Sequence, residues 1–248
     1  MTRAVPGGSR PPAPRARAGV RHWLLLALPL LLAAVVHRRA LGAFFGTDDF
    51  VRLEEAVGIL PSTPTLWRLV SEVLYLKLML RLFGPEPLPF HIVSLALHLV
   101  NTAFVFRLGR KAGLSAGAAC LAASVFGAFP LSYTVLLSAV NINDIMALTF
   151  VFLALLALQV STLARIGLAV ACFVIALLSK EAVLFVPFAA VLLPLPGERI
   201  AGTARRLMPL LVAGVVFAAL YLTFRTHGLG TGDPRTRRDS GFRSSSTS

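Results

Sequence analysis

The chain has 248 residues, 56% hydrophobic and 14% charged, and a mean hydropathy of +0.79. Soluble domains carry about 25% charged residues, so a water-soluble globular fold is excluded, as is disorder across the bulk of the chain. The formal charge of +13 is concentrated at the ends, with five Arg and no acid in residues 1–22 and five Arg with two Asp in 225–248, which makes a nucleic-acid partner a poor reading.

Residues 1–19 read as a basic cytoplasmic tail, an orientation signal under the positive-inside rule. Seven apolar runs follow: Val20–Val36, Leu88–Phe106, Leu114–Ala128, Ile145–Val160, Leu163–Leu178, Ala182–Leu195 and Leu207–Phe224. A helix needs about 20 residues to cross a hydrocarbon core of about 30 Å, so several runs are short as drawn. Ser115, Ser132, Ser161 and Ser179 at their ends extend them. The expected fold is all-α, a polytopic membrane protein of about seven transmembrane helices over residues 20–224. His37-Arg38-Arg39 after the first run is unlike a small-residue cleavage site, so that run reads as a retained helix.

The segment 37–87 reads as an outer loop with helices of its own. Thr47-Asp48-Asp49 predicts a helix through Val57, with a Thr cap and acids in the first turn to suit the helix dipole. Leu60-Pro61-Ser62-Thr63-Pro64 breaks it. Leu66–Phe83 predicts a second helix, too charged to span and too apolar to float free, hence interfacial. Leu163–Leu195 is too long for one crossing and carries Pro187 and Pro194, which predicts two helices with a tight turn at Ser179-Lys180-Glu181. Cys120 and Cys172 each lie inside an apolar run and read as packing residues. Residues 225–248, rich in Gly, Ser and Thr, read as a disordered tail.

With the N-terminus inside, the short inner loops hold Arg107, Arg110, Lys111, Arg165, Arg199, Arg205 and Arg206, and the short outer loops only Lys180. The same assignment puts Asp48, Asp49, Glu54, Glu55, Glu72, Glu86, Asp144 and Glu181 outside and only Glu198 inside. That segregation predicts a polar chamber on the outer face.

Asp48-Asp49 is the leading chemical candidate. Neighbours on a helix point about 100° apart, so one carboxylate suits a general base while the other holds a partner such as Arg52. A helix-start cap with an Asp–Arg pair explains the same residues without chemistry. His91 and His98 share one helical face about 10 Å apart along the axis, too far to bind one metal together. His91 suits an anionic group, and His98 with Asn101 reads as an interhelical hydrogen-bonding pair. Asn143 or Asp144 caps the fourth span or lines the chamber, and Lys180 and Glu181 place charges between apolar helices, where ionisable groups are expensive. Without GxGxxG, Walker, CxxC or HExxH patterns, nucleotide chemistry and structural zinc have no support.

Phe45–Phe50 (FGTDDF), Arg68, Leu82-Phe83-Gly84 to His91, His98, Asn101, Phe129-Pro130, Asn143-Asp144 and Ser179-Lys180-Glu181 follow one another in an order that resembles polyprenyl-phosphate-dependent membrane glycosyltransferases of the GT-C fold. That group includes protein O-mannosyltransferases and aminoarabinose transferases, and the resemblance covers roughly residues 20–224. It implies Asp48 and Asp49 as the catalytic centre, Arg68, His91 and Lys180 toward the lipid phosphate, and Asp144 and Glu181 as supporting acids. It implies a polyprenyl-phosphate sugar as donor and a glycan, lipid or protein hydroxyl as acceptor, at a cell membrane. No cofactor is required, and a divalent cation stays open. Departures from the pattern are Arg68-Leu69 where Arg-Pro is usual and Leu131-Ser132-Tyr133 after the Phe-Pro. A non-enzymatic carrier of lipid-linked sugars, or an inactive N-terminal fragment of a larger glycosyltransferase, are the alternatives.

Overall fold

The computed structural model describes residues 15–60, 68–160, 162–192 and 199–226. Those residues form helices and short links, with no strand among them. Helix α1 (Arg15–His37) continues through a 3-10 turn at Arg38–Gly42. The outer segment carries α2 (Thr47–Val57) and a π-helical turn, Leu69–Tyr75, that runs into α3 (Leu76–Phe83). Then come α4 (Pro87–Lys111), α5 (Ala116–Gly127), α6 (Pro130–Leu136), α7 (Ile142–Ala157), α8 (Leu163–Ser179), a 3-10 turn at Glu181–Phe185, α9 (Val186–Leu192) and α10 (Ile200–Thr226).

Local chemistry sets these boundaries. Pro87 and Pro130 open α4 and α6 at positions where a missing N–H costs nothing. Ser115 and Thr162 cap α5 and α8 by accepting from Ala118 and Arg165 N–H. Gly58, at φ 83°, closes α2 in a left-handed conformation that other residues adopt at a cost. The expected turn at Ser179-Lys180-Glu181 is present, since α8 ends at Ser179 and Lys180 is extended.

Two sequence-based boundaries move. Helix α1 begins at Arg15, inside the stretch assigned to the basic tail, and α10 runs on to Thr226, past the expected tail boundary. The expected break at Pro61–Pro64, the rest of the N-terminal tail and the disordered tail from His227 lie outside the described residues.

Among the described residues, Trp23–Gly42, Pro87–Lys111 and Ile200–Phe224 are long and apolar enough to cross a membrane. A fourth candidate arises if α5 and α6, bent by 48°, count as one broken span. Seven crossings were expected. Helices α7 and α8 have 16 and 17 residues, a rise of about 24–26 Å against a core of about 30 Å. The polar start of α7 at Asn141, Asn143 and Asp144 shortens its apolar length.

Packing fixes the helices through small side chains. Ala154, Ala157, Ala169 and Ala176 are fully or almost fully buried between α7 and α8, where small residues let backbones approach. Phe173, Leu177, Leu207 and Leu210 fill the seam toward α10. A second cluster, Phe45, Leu53, Leu76, Met79, Phe90 and Ile142, docks the outer segment onto the starts of α4 and α7. Exposed Trp23, Leu31 and Val35 on α1, and Val212, Val215 and Val216 on α10, suit a lipid bilayer as solvent.

A polar joint ties α1, α4 and α5 together. The Gly127 carbonyl, at the end of α5 where Pro130 interrupts the helix, accepts from Nε2 of both His37 and His98 at 2.9 Å each. The rings meet edge-on at 5.2 Å. Space at Gly127 is tight, because a Cβ there would lie 3.0 Å from both Ala33 Cβ and Thr102 Cγ2.

Candidate functional site

A cleft of about 690 Å³ opens where the start of α2 faces the α6–α7 link and the end of α8. Its lining includes Thr47, Asp48, Asp49, Arg52, Arg68, Ser138, Asn141, Asn143 and Lys180. Six acids that are dispersed in the sequence, Asp48, Asp49, Glu55, Glu72, Asp144 and Glu181, gather in or beside it.

The structure divides the acidic pair. Asp49 is fully buried and its carboxylate is saturated: Oδ2 accepts from Gly46 N–H at 2.8 Å, and Oδ1 from Ser138 Oγ at 2.8 Å and Val140 N–H at 2.9 Å. The N-cap of α2 is therefore Gly46, with Thr47 the first helical residue, one position earlier than expected. Asp49 is the third residue of the helix and reaches back to the cap N–H, as an acid at that position does in a capping box. Asp48 is exposed in the cleft and has no hydrogen-bond or ionic partner among the described residues.

The cations form a network with the remaining acids. Arg52 pairs with Glu55 at 2.9 Å and Glu72 at 3.8 Å, not with the Asp pair. Glu72 also meets Arg68 at 2.8 Å, and Arg68 reaches Glu181 at 3.3 Å. Arg68 has φ 64°, a left-handed backbone conformation that residues with a Cβ adopt at a cost. Burial alone disfavours its charge, but the hydrogen bonds and charges of Glu72 and Glu181 outweigh it and raise its pKa above the ordinary arginine value. Lys180 meets Asp144 at 3.1 Å. Asp144 sits in the first turn of α7, where its N–H donates to Asn143 Oδ1 at 2.7 Å.

Of the residues predicted from sequence, Asp48, Asp49, Arg68 and Lys180 line the cleft, and Asp144 and Glu181 pair with its lining cations. His91 does not reach it. It is buried, with Nδ1 at 3.0 Å from the Leu136 carbonyl, a group left without a helical partner at the end of the short α6. His98 and Asn101 make interhelical bonds, to the Gly127 and Ile145 carbonyls. Sequence reasoning missed Ser138, Val140 N–H and the bridging role of Glu72. A lone hydroxyl at Ser138, opening the polar stretch to Asp144, was the available signal.

The arrangement offers one carboxylate that is both accessible and unpaired among the described residues, three ion-paired cations and a set of neutral hydrogen-bonding groups at Thr47, Ser138, Asn141 and Asn143. Such a site can take a proton from a hydroxyl, meet a phosphate and orient a polyol. No group of three His, Cys, Asp or Glu among the described residues is placed to hold a metal ion. Comparison of the chain with protein-family models, with curated proteins and with solved structures returns no match.

Proposed function

We propose that the chain is a membrane glycosyltransferase that moves a sugar from a polyprenyl-phosphate donor to an acceptor hydroxyl in this cleft, with Asp48 as general base. The observation that carries the reading is the division of the pair: one carboxylate consumed by bracing, its neighbour accessible beside cations and polyol-type hydrogen-bonding groups. Asp48 accepts the acceptor's hydroxyl proton as that oxygen attacks the anomeric carbon. The bond from that carbon to the phosphate oxygen breaks, the configuration inverts, and the electron pair leaves with the polyprenyl phosphate. Lys180, Arg68 and Arg52 supply positive charge for the leaving phosphate. Asp49 holds the start of α2 and so positions Asp48.

The orientation belongs to the same proposal. The N-terminus lies in the cytoplasm, the cleft faces outward from a cell membrane, and the shorter helices α7–α9 complete a bundle of about seven crossings.

Incubating the purified chain with a panel of radiolabelled polyprenyl-phosphate sugars and acceptors tests the reaction. The expected result is transfer that falls about 10²-fold or more in Asp48→Asn. Full turnover in both Asp48→Asn and Asp49→Asn would remove the catalytic assignment. Retention of the labelled lipid with no transfer to any acceptor would favour the carrier.

A further inference from the structure

The acidic cleft carries its own obstacle to an anion. Six acids gather in or beside it against three lining cations, and each of those cations already meets a carboxylate. An entering phosphate is repelled by this surround unless one of the acids gives way.

The contacts of Arg68 single out which one. Its Nη1 donates to Glu72 Oε1 at 2.8 Å, while Nε and Nη2 donate as a fork to the two Glu181 oxygens at 3.4 and 3.3 Å. Charge-assisted bonds of this kind run at about 2.7–2.9 Å, so the Glu72 contact is tight and the Glu181 fork is loose. Exposure divides the two acids in the same sense, with the Glu72 side chain 11% exposed and that of Glu181 41%. Glu72 is also shared with Arg52, which fixes it between two cations. The loosely held edge is the one suited to an anion, because the planar fork of a guanidinium meets two phosphate oxygens at once. Arg52 and Lys180 meet their acids through a single nitrogen each among the described residues.

We propose that Glu181 is a displaceable placeholder for a phosphate ester at Arg68. In the resting chain its carboxylate occupies the Nε–Nη2 fork. A phosphate entering the cleft takes the fork over, and Glu181 turns out to water. Arg68 stays tethered at Nη1 by Glu72, so its guanidinium turns without leaving the cleft that it lines. In this role Glu181 competes with the ligand instead of supporting it, and so sets how tightly a phosphate is held. The class of ligand rests on the sugar-transfer reading, whereas the exchange itself needs no transfer.

Isothermal titration of the full chain in a nonionic detergent tests it, with farnesyl phosphate as the probe, farnesol as the phosphate-free control and inorganic phosphate as a second probe. An ion pair with this much solvent contact is worth up to about fivefold in an equilibrium. Glu181→Gln should therefore bind farnesyl phosphate about three- to fivefold more tightly than the native chain, with farnesol unchanged. Glu181→Asp keeps the charge but is too short for the fork, and should gain about as much. Thermal unfolding checks that both variants fold. The same gain for inorganic phosphate would assign the exchange to the phosphate group alone, and a gain confined to farnesyl phosphate would assign it to a lipid-borne one. Unchanged or weaker binding in Glu181→Gln would overturn the placeholder, as would no binding of farnesyl phosphate by any of the three chains. A gain in Glu181→Gln with none in Glu181→Asp would reveal a general charge effect and overturn it too. Sugar transfer in the radiolabel assay with no gain in Glu181→Gln would remove this inference alone, and the gain without transfer would remove the transfer reading alone.

Discussion

Replacing Asp49 by Asn separates bracing from chemistry, because the amide matches the carboxylate in shape and differs in hydrogen bonding. The buried carboxylate accepts three bonds, two at Oδ1 and one at Oδ2. An amide has one oxygen, and its lowest-cost orientation keeps that oxygen at the Oδ1 position facing Ser138 and Val140. The NH₂ then opposes the Gly46 N–H, donor against donor, and the cap bond of α2 is lost. Loss of one charge-assisted bond costs about 1.5–3 kcal/mol, and the two surviving bonds weaken from charged to neutral acceptors. Gly46 is itself exposed, so water recovers part of this, and the net is about 2–3 kcal/mol. At about 2–4 °C per kcal/mol for a chain of this size, Tm should fall by about 4–12 °C. Asp48→Asn, at an exposed residue with no partner among the described residues, should lower Tm by no more than about 2 °C. Intrinsic fluorescence during heating, on both variants in the same detergent, gives the comparison. A large fall in Asp48→Asn with none in Asp49→Asn would reverse the two roles and refute the reasoning.

Gly127→Ala should destabilise by about 1–3 kcal/mol, since the new methyl meets Ala33 and Thr102 at 3.0 Å, while Gly167→Ala, with nothing within 4 Å, should be neutral or slightly stabilising in the same melts. A double-mutant cycle of Lys180→Met with Asp144→Asn should give a coupling of no more than about 1 kcal/mol, because both side chains retain solvent contact. In a background lacking Cys120 and Cys172, a cysteine at position 144 should react with a membrane-impermeant reagent in intact cells and one near Arg110 should not. The opposite pattern would invert the proposed orientation.

The parts of the fold that were readable in advance rest on local information. Apolar runs long enough to be helices became helices, and two prolines with the Ser179-Lys180-Glu181 triplet were enough to divide α8 from α9. The gathering of acids also showed, because helix ends on one side of a bundle must be neighbours. The roles of Asp48 and Asp49 did not, since they depend on Ser138 and Val140, 89 and 91 residues away, and no spacing near the pair encodes them. His91 was misplaced for a related reason. A histidine at the start of a span looks available for an anion until a broken helix nearby leaves the Leu136 carbonyl in need of a donor. Of the seven crossings expected, three or four among the described residues are long and apolar enough by themselves, because apolar composition is not length and polar residues at the start of α7 shorten its apolar stretch.

The shared carbonyl of Gly127 bears on the order in which the molecule can be assembled. His37 lies at the end of the first helix made, and its hydrogen-bond partner is 90 residues further along the chain. At a synthesis rate of about 5–20 residues per second, the first helix waits about 5–18 s before that carbonyl has been made. Within that interval the imidazole at the end of α1 can meet His98 of α4, but the carbonyl that both rings share is still unbuilt. The joint at Gly127 therefore closes only after α5 has been made, although α1 and α4, which also meet there, are complete before it.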